Sequence, residues 1–346
     1  MKDMHRVRHL VHPDHPDILN GCLARRGSAS TMPRVLRVIF MGTPAFAATI
    51  LDGVIGAGIR PVLIVTQPAK PTGRGRKELP SAVAVRAEAL GIPCLAVENV
   101  NAPEVMEQLK AAAPDLVLVA AFGQILKQPL LDLPKLFCLN VHGSMLPKYR
   151  GAAPAQRALW NGDTETGITI QKMARRLDTG DVLMQRTVPI EPDDDSETLL
   201  ARLAKIGADL SVESIYRIVS GRYVFVPQDS NLATYAAKLD KLDAPLDFQL
   251  PAEELHNRIR ALVPWPVAET RFGSERLRVF STRIEAGPFP QPPGTLVTDG
   301  RREIVIVCGD TKGLSLIEVQ PENRRRMPVR DFLGGFRGQL PVDSVG

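Results

Sequence analysis

The chain has 346 residues, 44% hydrophobic and 23% charged, a globular composition that excludes fibrous, collagen-like and wholly disordered architectures. Its net charge of +5 permits an anionic partner such as nucleic acid without demanding one. No run approaches the ~18 consecutive apolar residues of a membrane span and the N-terminus lacks the apolar core of a secretory signal, so a cytoplasmic protein is expected, with two domains at roughly 100–200 residues each.

Residues 1–31 show no sustained periodicity and hold four of the six histidines, His5, His9, His12 and His15. Their His-Pro-Asp-His-Pro-Asp run could be read as a metal binder, but Pro13 and Pro16 hold it extended and no second ligand cluster follows; no metal is expected. The segment reads as an extension outside the fold, and Met32 opens a far more regular sequence. From Val35 apolar runs alternate with helical stretches, the signature of βαβ units and a parallel sheet. A buried strand is predicted over 35–42, then a helix over 44–56, a strand over 61–67, a helix over 82–91 and a short strand over 94–97. Asn101 with Glu104 reads as a capping box opening a helix to about Ala113, and the apolar run 115–123 as a central strand. Residues 137–144 (FCLNVHGS) form a further strand running into polar residues at its carboxyl end, where ligands of open α/β sheets bind.

A helix over 153–162, strands over 166–173 and 181–190 and a long helix over 196–221 complete the first domain. Residues 222–240 are polar and irregular and read as a linker. In 241–346 short β-like runs alternate with Gly, Pro and Asp turns around one helix near 252–262, which predicts a small β-barrel. That domain holds 15 Lys and Arg against 14 Asp and Glu, so any nucleic-acid contact there must come from local clusters. The four cysteines, Cys22, Cys94, Cys138 and Cys308, are far apart without a C-x-x-C pair and read as reduced thiols, mostly core filling.

Three residues carry candidate chemistry. Asn140 and His142 alternate on one strand face, and Asp178 lies downstream in L-D-T-G-D (177–181). An amide donor, an imidazole and a carboxylate at a strand end can hold an oxyanion and move a proton, the minimum for acyl transfer. On spacing alone His142 reads equally well as a satisfied turn histidine and Asp178 as a turn residue. No Walker A, no G-x-G-x-x-G after the first strand and no G-x-S-x-G is present. The run KPTGRGRKE (70–78) holds Lys70, Arg74, Arg76 and Lys77 and reads as a flexible basic arm able to reach phosphates, or as a merely solvated loop. A second basic cluster is Arg324, Arg325, Arg326 and Arg330.

The motifs MGTPAFA (41–47), KPTGRGRK (70–77), LNVHGSMLPKYRGAAPAQRALWNGDTETGITI (139–170) and LDTGD (177–181) closely resemble those of the methionyl-tRNA formyltransferases, a likeness that runs from about Met32 through nearly the whole chain. The Asn-x-His pair, S-x-L-P and L-D-T-G-D are shared by folate-dependent formyltransferases generally. The resemblance implies an α/β fold, with an N-terminal Rossmann-like catalytic domain (32–221) built on a mostly parallel sheet, a linker (222–240) and a C-terminal OB-like β-barrel that binds tRNA (241–346). It implies formyl transfer from 10-formyltetrahydrofolate to the α-amino group of methionine on initiator tRNA, with Asn140 and a protonated His142 holding the oxyanion and Asp178 keeping His142 charged. Folate would be bound by Ser144, Met145, Leu146 and Pro147 and by the backbone of Phe122, Gly123, Gln124, Ile125 and Leu126. tRNA would be met by Lys70, Arg74, Arg76 and Lys77 and by Arg324, Arg325 and Arg326. A monomer is expected. Met145 stands where leucine is commoner, Phe122 where tyrosine is, and Val263 and Val267 depart from the family's N-P-W-P-G-A. A formyltransferase for an amino sugar nucleotide or glycinamide ribonucleotide is the nearest alternative, and a tRNA-binding module without catalysis the next.

Overall fold

The structure, a computed structural model, describes residues 36–72, 77–273 and 275–335. Residues 1–31, with their four histidines, lie outside the described residues, as do Arg74 and Arg76. The first half begins with β1 (Val38–Gly42) and α1 (Ala45–Gly56), then β2 (Leu63–Thr66), β3 (Lys70–Thr72), β4 (Lys77–Leu79) and α2 (Ala82–Ala89). It continues through β5 (Cys94–Ala96), α3 (Pro103–Ala111), β6 (Leu116–Ala120), α4 (Gln128–Leu131), β7 (Phe137–His142), β8 (Arg150–Gly151) and α5 (Pro154–Trp160). It closes with β9 (Glu165–Lys172), β10 (Val182–Pro189) and the long helix α6 (Ser196–Val219).

The main sheet runs β10-β9-β7-β6-β1-β2-β5; the five strands from β7 to β5 are parallel and β9 and β10 are antiparallel. Both faces are covered, which is why β1 and β6 are apolar throughout. Val38, Phe40, Leu116 and Leu118 enter the core under α1, α2 and α6, while their neighbours Ile39, Met41, Val117 and Val119 enter the one under α3 and α4. On α1, Ala47, Ile50, Leu51 and Val54 recur at helical spacing and pack against α6. α6 starts in a capping box in which the Asp195 carboxylate accepts from Thr198 N at 2.9 Å and Thr198 Oγ1 accepts from Asp195 N at 3.0 Å. The chain winds outward from β1 through β2 to β5 and then returns to β6, so the topological switch point lies at the carboxyl ends of β1 and β6.

The second half holds α7 (Ala252–Ala261), then β12 (Ala268–Phe272), β13 (Glu275–Glu285), β14 (Leu296–Thr298), β15 (Ile304–Val307), β16 (Gly313–Pro321), β17 (Met327–Pro328) and α8 (Val329–Gly335). Its antiparallel sheet runs β12-β13-β16-β15-β14, and irregular register near Ser281 in β13 bends it around Leu255 and Ile259 of α7. The fold is thus α/β with a small barrel-like antiparallel domain appended, as the alternating apolar runs lead one to expect.

Three local readings change. Asn101 does not cap α3, whose N-cap is Ala102 followed by Pro103; its side chain instead donates to Ile125 O at 2.8 Å and accepts from Lys127 N at 2.8 Å. The basic run at 70–78 is flanked by a two-stranded pairing, Lys70 opposite Leu79 and Thr72 opposite Lys77, rather than being loop throughout. Residues 222–240 are fastened to the first domain: Val226 bridges Val182, and β11 (Tyr235–Ala236) pairs in parallel with β8.

Candidate active site

Along β7, Leu139 and Val141 point into the core under α6 and Cys138 into the opposite one. Strand alternation therefore sets Asn140 and His142 together on the Cys138 side, past the end of that core. Asp178 arrives from the turn between β9 and β10 in a left-handed conformation, φ 52°. Its Oδ1 accepts from Gln171 Nε2 at 2.9 Å and from Asn140 Nδ2 at 3.4 Å, and its Oδ2 accepts from the backbone N–H of Gly151 at 2.9 Å. His142 Nδ1 lies 3.6 Å from Oδ2, too far for a hydrogen bond, so that edge of the ring is uncommitted. His142 Nε2 is 2.9 Å from Tyr149 O, and because a carbonyl only accepts, Nε2 carries a hydrogen. The two side chains are buried, 5% and 7% exposed.

Two glycines permit this approach. A Cβ on Gly180 would collide with the carbonyl oxygen of Lys172, and Gly151, at φ 129°, would place one against that of Ala236. Tyr149 is fixed by its hydroxyl, which donates to Asp163 at 2.8 Å and accepts from Asn161 at 3.0 Å. Burial pushes its phenol up to about 12, Asn161 opposing and Asp163 adding to the shift, so it remains a donor.

The turn after β7 is tied to β9 and β10. Ser144 Oγ donates to Lys148 O at 2.7 Å, Thr169 Oγ1 donates to Ser144 O at 2.7 Å and accepts from Leu146 N at 3.1 Å, and Gln185 Nε2 donates to Leu146 O at 2.7 Å. Ser144 and Leu146 are buried, so the Ser144 hydroxyl serves the turn, while Met145 and Pro147 are half-buried. Across the switch point, the carbonyl of Phe122 accepts from Thr43 Oγ1 at 3.0 Å and Gln67 Nε2 at 2.8 Å. Gln124 ties this loop to 97–100, accepting from Val100 N and donating to Val97 O, both at 2.8 Å. Leu126 is buried and Ile125 is 74% exposed. A concavity of about 320 Å³ opens at the carboxyl ends of β2 and β6, lined by Gln67, Pro68, Ala69, Lys70, Glu98, Gly123 and Gln124. Of the nine residues expected around folate, Gly123 and Gln124 line it.

A formyl transferase family model matches residues 36–215, and a formyl transferase C-terminal domain model matches 238–337. The chain is 42% identical over 304 residues to the methionyl-tRNA formyltransferase of Citrifermentans bemidjiense, covering 88% of this chain and 95% of that protein. It is 40% identical to that of Halalkalibacterium halodurans, over 90% and 98% of the two chains. The chain belongs to the methionyl-tRNA formyltransferase family. Among solved structures this family member is similar in fold to WlaRD, a sugar 3N-formyl transferase crystallised with dTDP and 5-N-formyl-THF, at 18% identity and a TM-score of 0.61 over 84% of this chain and all of that one.

In this formyltransferase the described basic residues expected to meet tRNA lie in two segments of the chain. Lys70 is exposed at the rim of the concavity and donates to Gln67 Oε1, and Lys77 lies in β4. Arg324 and Arg325 are exposed; Arg326 is ion-paired with Glu318 through Nε at 2.9 Å and stacks on Phe280 at 4.5 Å. Burial pushes the Cys138 and Cys308 thiols up to about 12, with Asp132 and Asp310 adding to it, as suits core thiols. Cys94 is exposed. Among the described residues no group of three or more His, Cys, Asp or Glu could hold a metal ion, and no helix is long and apolar enough to cross a membrane.

Sequence reasoning missed Gln171, the Gly151 N–H and the Tyr149 carbonyl. Gln171 had one available signal, since with Thr169 it puts two buried polar side chains on one face of β9.

Proposed function

We propose that this chain transfers a formyl group from 10-formyltetrahydrofolate to the α-amino group of methionine esterified to initiator tRNA, as a cytoplasmic enzyme of translation initiation. The observation that carries the reading is the gathering of Asn140, His142 and Asp178 at one strand end, with every other donor of the cluster neutral. The attacking amine has an ordinary pKa near ~8, so it needs orientation and the loss of one proton rather than strong activation. Asn140 Nδ2 and the uncommitted Nδ1 of an imidazolium at His142 donate to the oxygen that gains charge as the amine bonds to the formyl carbon. Asp178, with its charge 3.6 Å from Nδ1, is the counter-ion and the acceptor of the ammonium proton; as the oxyanion collapses, the bond from the formyl carbon to N10 of the donor would break and tetrahydrofolate would leave with the amine's second proton on N10. The concavity at Gly123 and Gln124 offers the donor's flat ring a backbone edge, with Gln67 and Glu98 as polar partners, and Ser144, Met145, Leu146 and Pro147 would meet the donor outside that lining. Lys70, Arg74, Arg76, Lys77, Arg324, Arg325 and Arg326 would meet tRNA phosphates without reading sequence.

The test is formyl transfer by the purified protein from 10-formyltetrahydrofolate, with charged initiator methionyl-tRNA, elongator methionyl-tRNA and glycinamide ribonucleotide as parallel acceptors. Turnover on the initiator alone is expected. Turnover only on the small amine would keep the formyl-transfer site and remove tRNA as its substrate.

A further inference from the structure

The three catalytic groups do not account for what holds Asp178 in place. Its backbone, at φ 52°, is in a region non-glycine residues rarely occupy, so the turn depends on bonds from outside itself. Those bonds come from Gln228, fifty residues downstream in the segment joining the two domains. Its Nε2 donates to Asp178 O at 2.9 Å and to Gly180 O at 2.6 Å, and lies at 3.5 Å from Gln171 Oε1. Its Oε1 accepts from Arg150 Nε at 3.1 Å and Nη2 at 2.8 Å. Arg150 is the residue before Gly151, whose N–H holds the Asp178 carboxylate. The backbone and the carboxylate of Asp178 are thus referred to the same short strand, β8, one directly and the other through Gln228.

We infer that Gln228 is a positioning residue for formyl transfer: braced by Arg150, it fixes the 178–180 turn and so sets where the Asp178 carboxylate stands relative to His142. The inference rests on the functional reading above. Neither Gln228 nor Arg150 bonds to Asn140 or His142; the other side chain Gln228 meets is Gln171, which itself holds Asp178 Oδ1, so both routes lead to Asp178. The paired backbone bonds between Val182 and Val226, both 2.8 Å, hold the neighbouring segment independently, so loss of the Gln228 amide is a local change.

The experiment compares full-length wild type with Gln228→Ala, Gln228→Glu, Arg150→Ala and the Ala/Ala double variant. Glutamate keeps the size and the acceptor for Arg150 but loses the two donated bonds, so it serves where the alanine variant fails to fold. Two quantities are read: steady-state formyl transfer from 10-formyltetrahydrofolate to initiator methionyl-tRNA, and hydrogen exchange at the Gly151 amide. Expected are a kcat lower by about 10- to 100-fold in both Gln228 variants with each KM within about threefold, faster Gly151 exchange, and a double variant no worse than Gln228→Ala. A kcat within twofold of wild type, a loss confined to KM, or unchanged Gly151 exchange would overturn the inference. A wild type that transfers no formyl group while Gly151 exchange still rises in the Gln228 variants would sink the functional reading and leave Asp178 positioning in place.

Discussion

Asp178 shows how little of a buried carboxylate's placement is its own. One of its carboxylate oxygens is met by the Gly151 backbone and the other by Gln171, and the turn beneath it fits only because position 180 has no side chain. Alanine at 180 must displace either the turn or β9, because the obstacle is backbone; we expect Gly180→Ala to lose at least tenfold in kcat and several degrees of melting temperature, and an unchanged melting curve with full turnover would contradict this. At the groups proposed to react, loss of one oxyanion donor costs roughly 10²–10³ in kcat by analogy with other acyl-transfer sites. Asn140→Ala, His142→Ala and Asp178→Ala should each fall by at least that order in single-turnover formyl transfer, and near-normal turnover in any one removes that residue from the mechanism.

Among the elements, α7 carries the histidine whose titration bears on stability. Burial, and then the charge of Arg260, hold the His256 imidazole below its ordinary 6.5, with Glu253 and Asp193 pulling weakly the other way. Since the unfolded chain binds that proton more readily, stability rises with pH here: the neutral ring's contribution is complete above 6.5 and is lost as pH falls through the depressed folded-state value. His256→Gln, which can still reach Thr282 Oγ1, should therefore show a shallower fall of melting temperature with acidification below pH 6.5 than wild type; parallel slopes would refute the assignment.

The same scale shows what the sequence made legible. β1 and β6 were readable because burial on both faces demands unbroken apolar runs, and α6 because its apolar positions repeat over 24 residues. The pairing of β8 with β11 was not, since two residues on each side carry no periodicity. Asn101 failed for another reason: an Asn-x-x-Glu spacing fits a capping box, but Pro103 sets the helix start one residue later and frees the amide to hold 125–127. That Asn140, His142 and Asp178 lie together is what spacing and resemblance lead one to expect, whereas Gln171 and Gln228 join them through contacts that only folding creates.

At the scale of the whole molecule the two halves meet around Trp160. The guanidinium of Arg157, on the same helix, lies 4.7 Å from its ring centroid and that of Arg258, from α7, lies 4.8 Å from it. Asp243 ties both arginines, pairing with Arg157 at 3.2 Å and accepting from Arg258 through its carbonyl at 2.7 Å. Each cation–π pair contributes about 0.5–2 kcal/mol, and Trp160 also packs against both cores. A single calorimetric transition is expected of wild type, and Trp160→Leu should lower its melting temperature and broaden or split it; an identical endotherm would show that the halves are coupled elsewhere.

The parallel pairing of β11 with β8 bears on how such proteins can be recombined. A breakpoint at 221, where the long helix ends, would carry Gln228, Thr234 and β11 away with the wrong parent, and the recipient's Asp178 turn would meet another protein's partners. Chimeras between this chain and its relatives should keep 222–237 with the N-terminal parent and change parent only beyond Ala237, so that the unit of inheritance for the proposed site is longer than the unit of sheet.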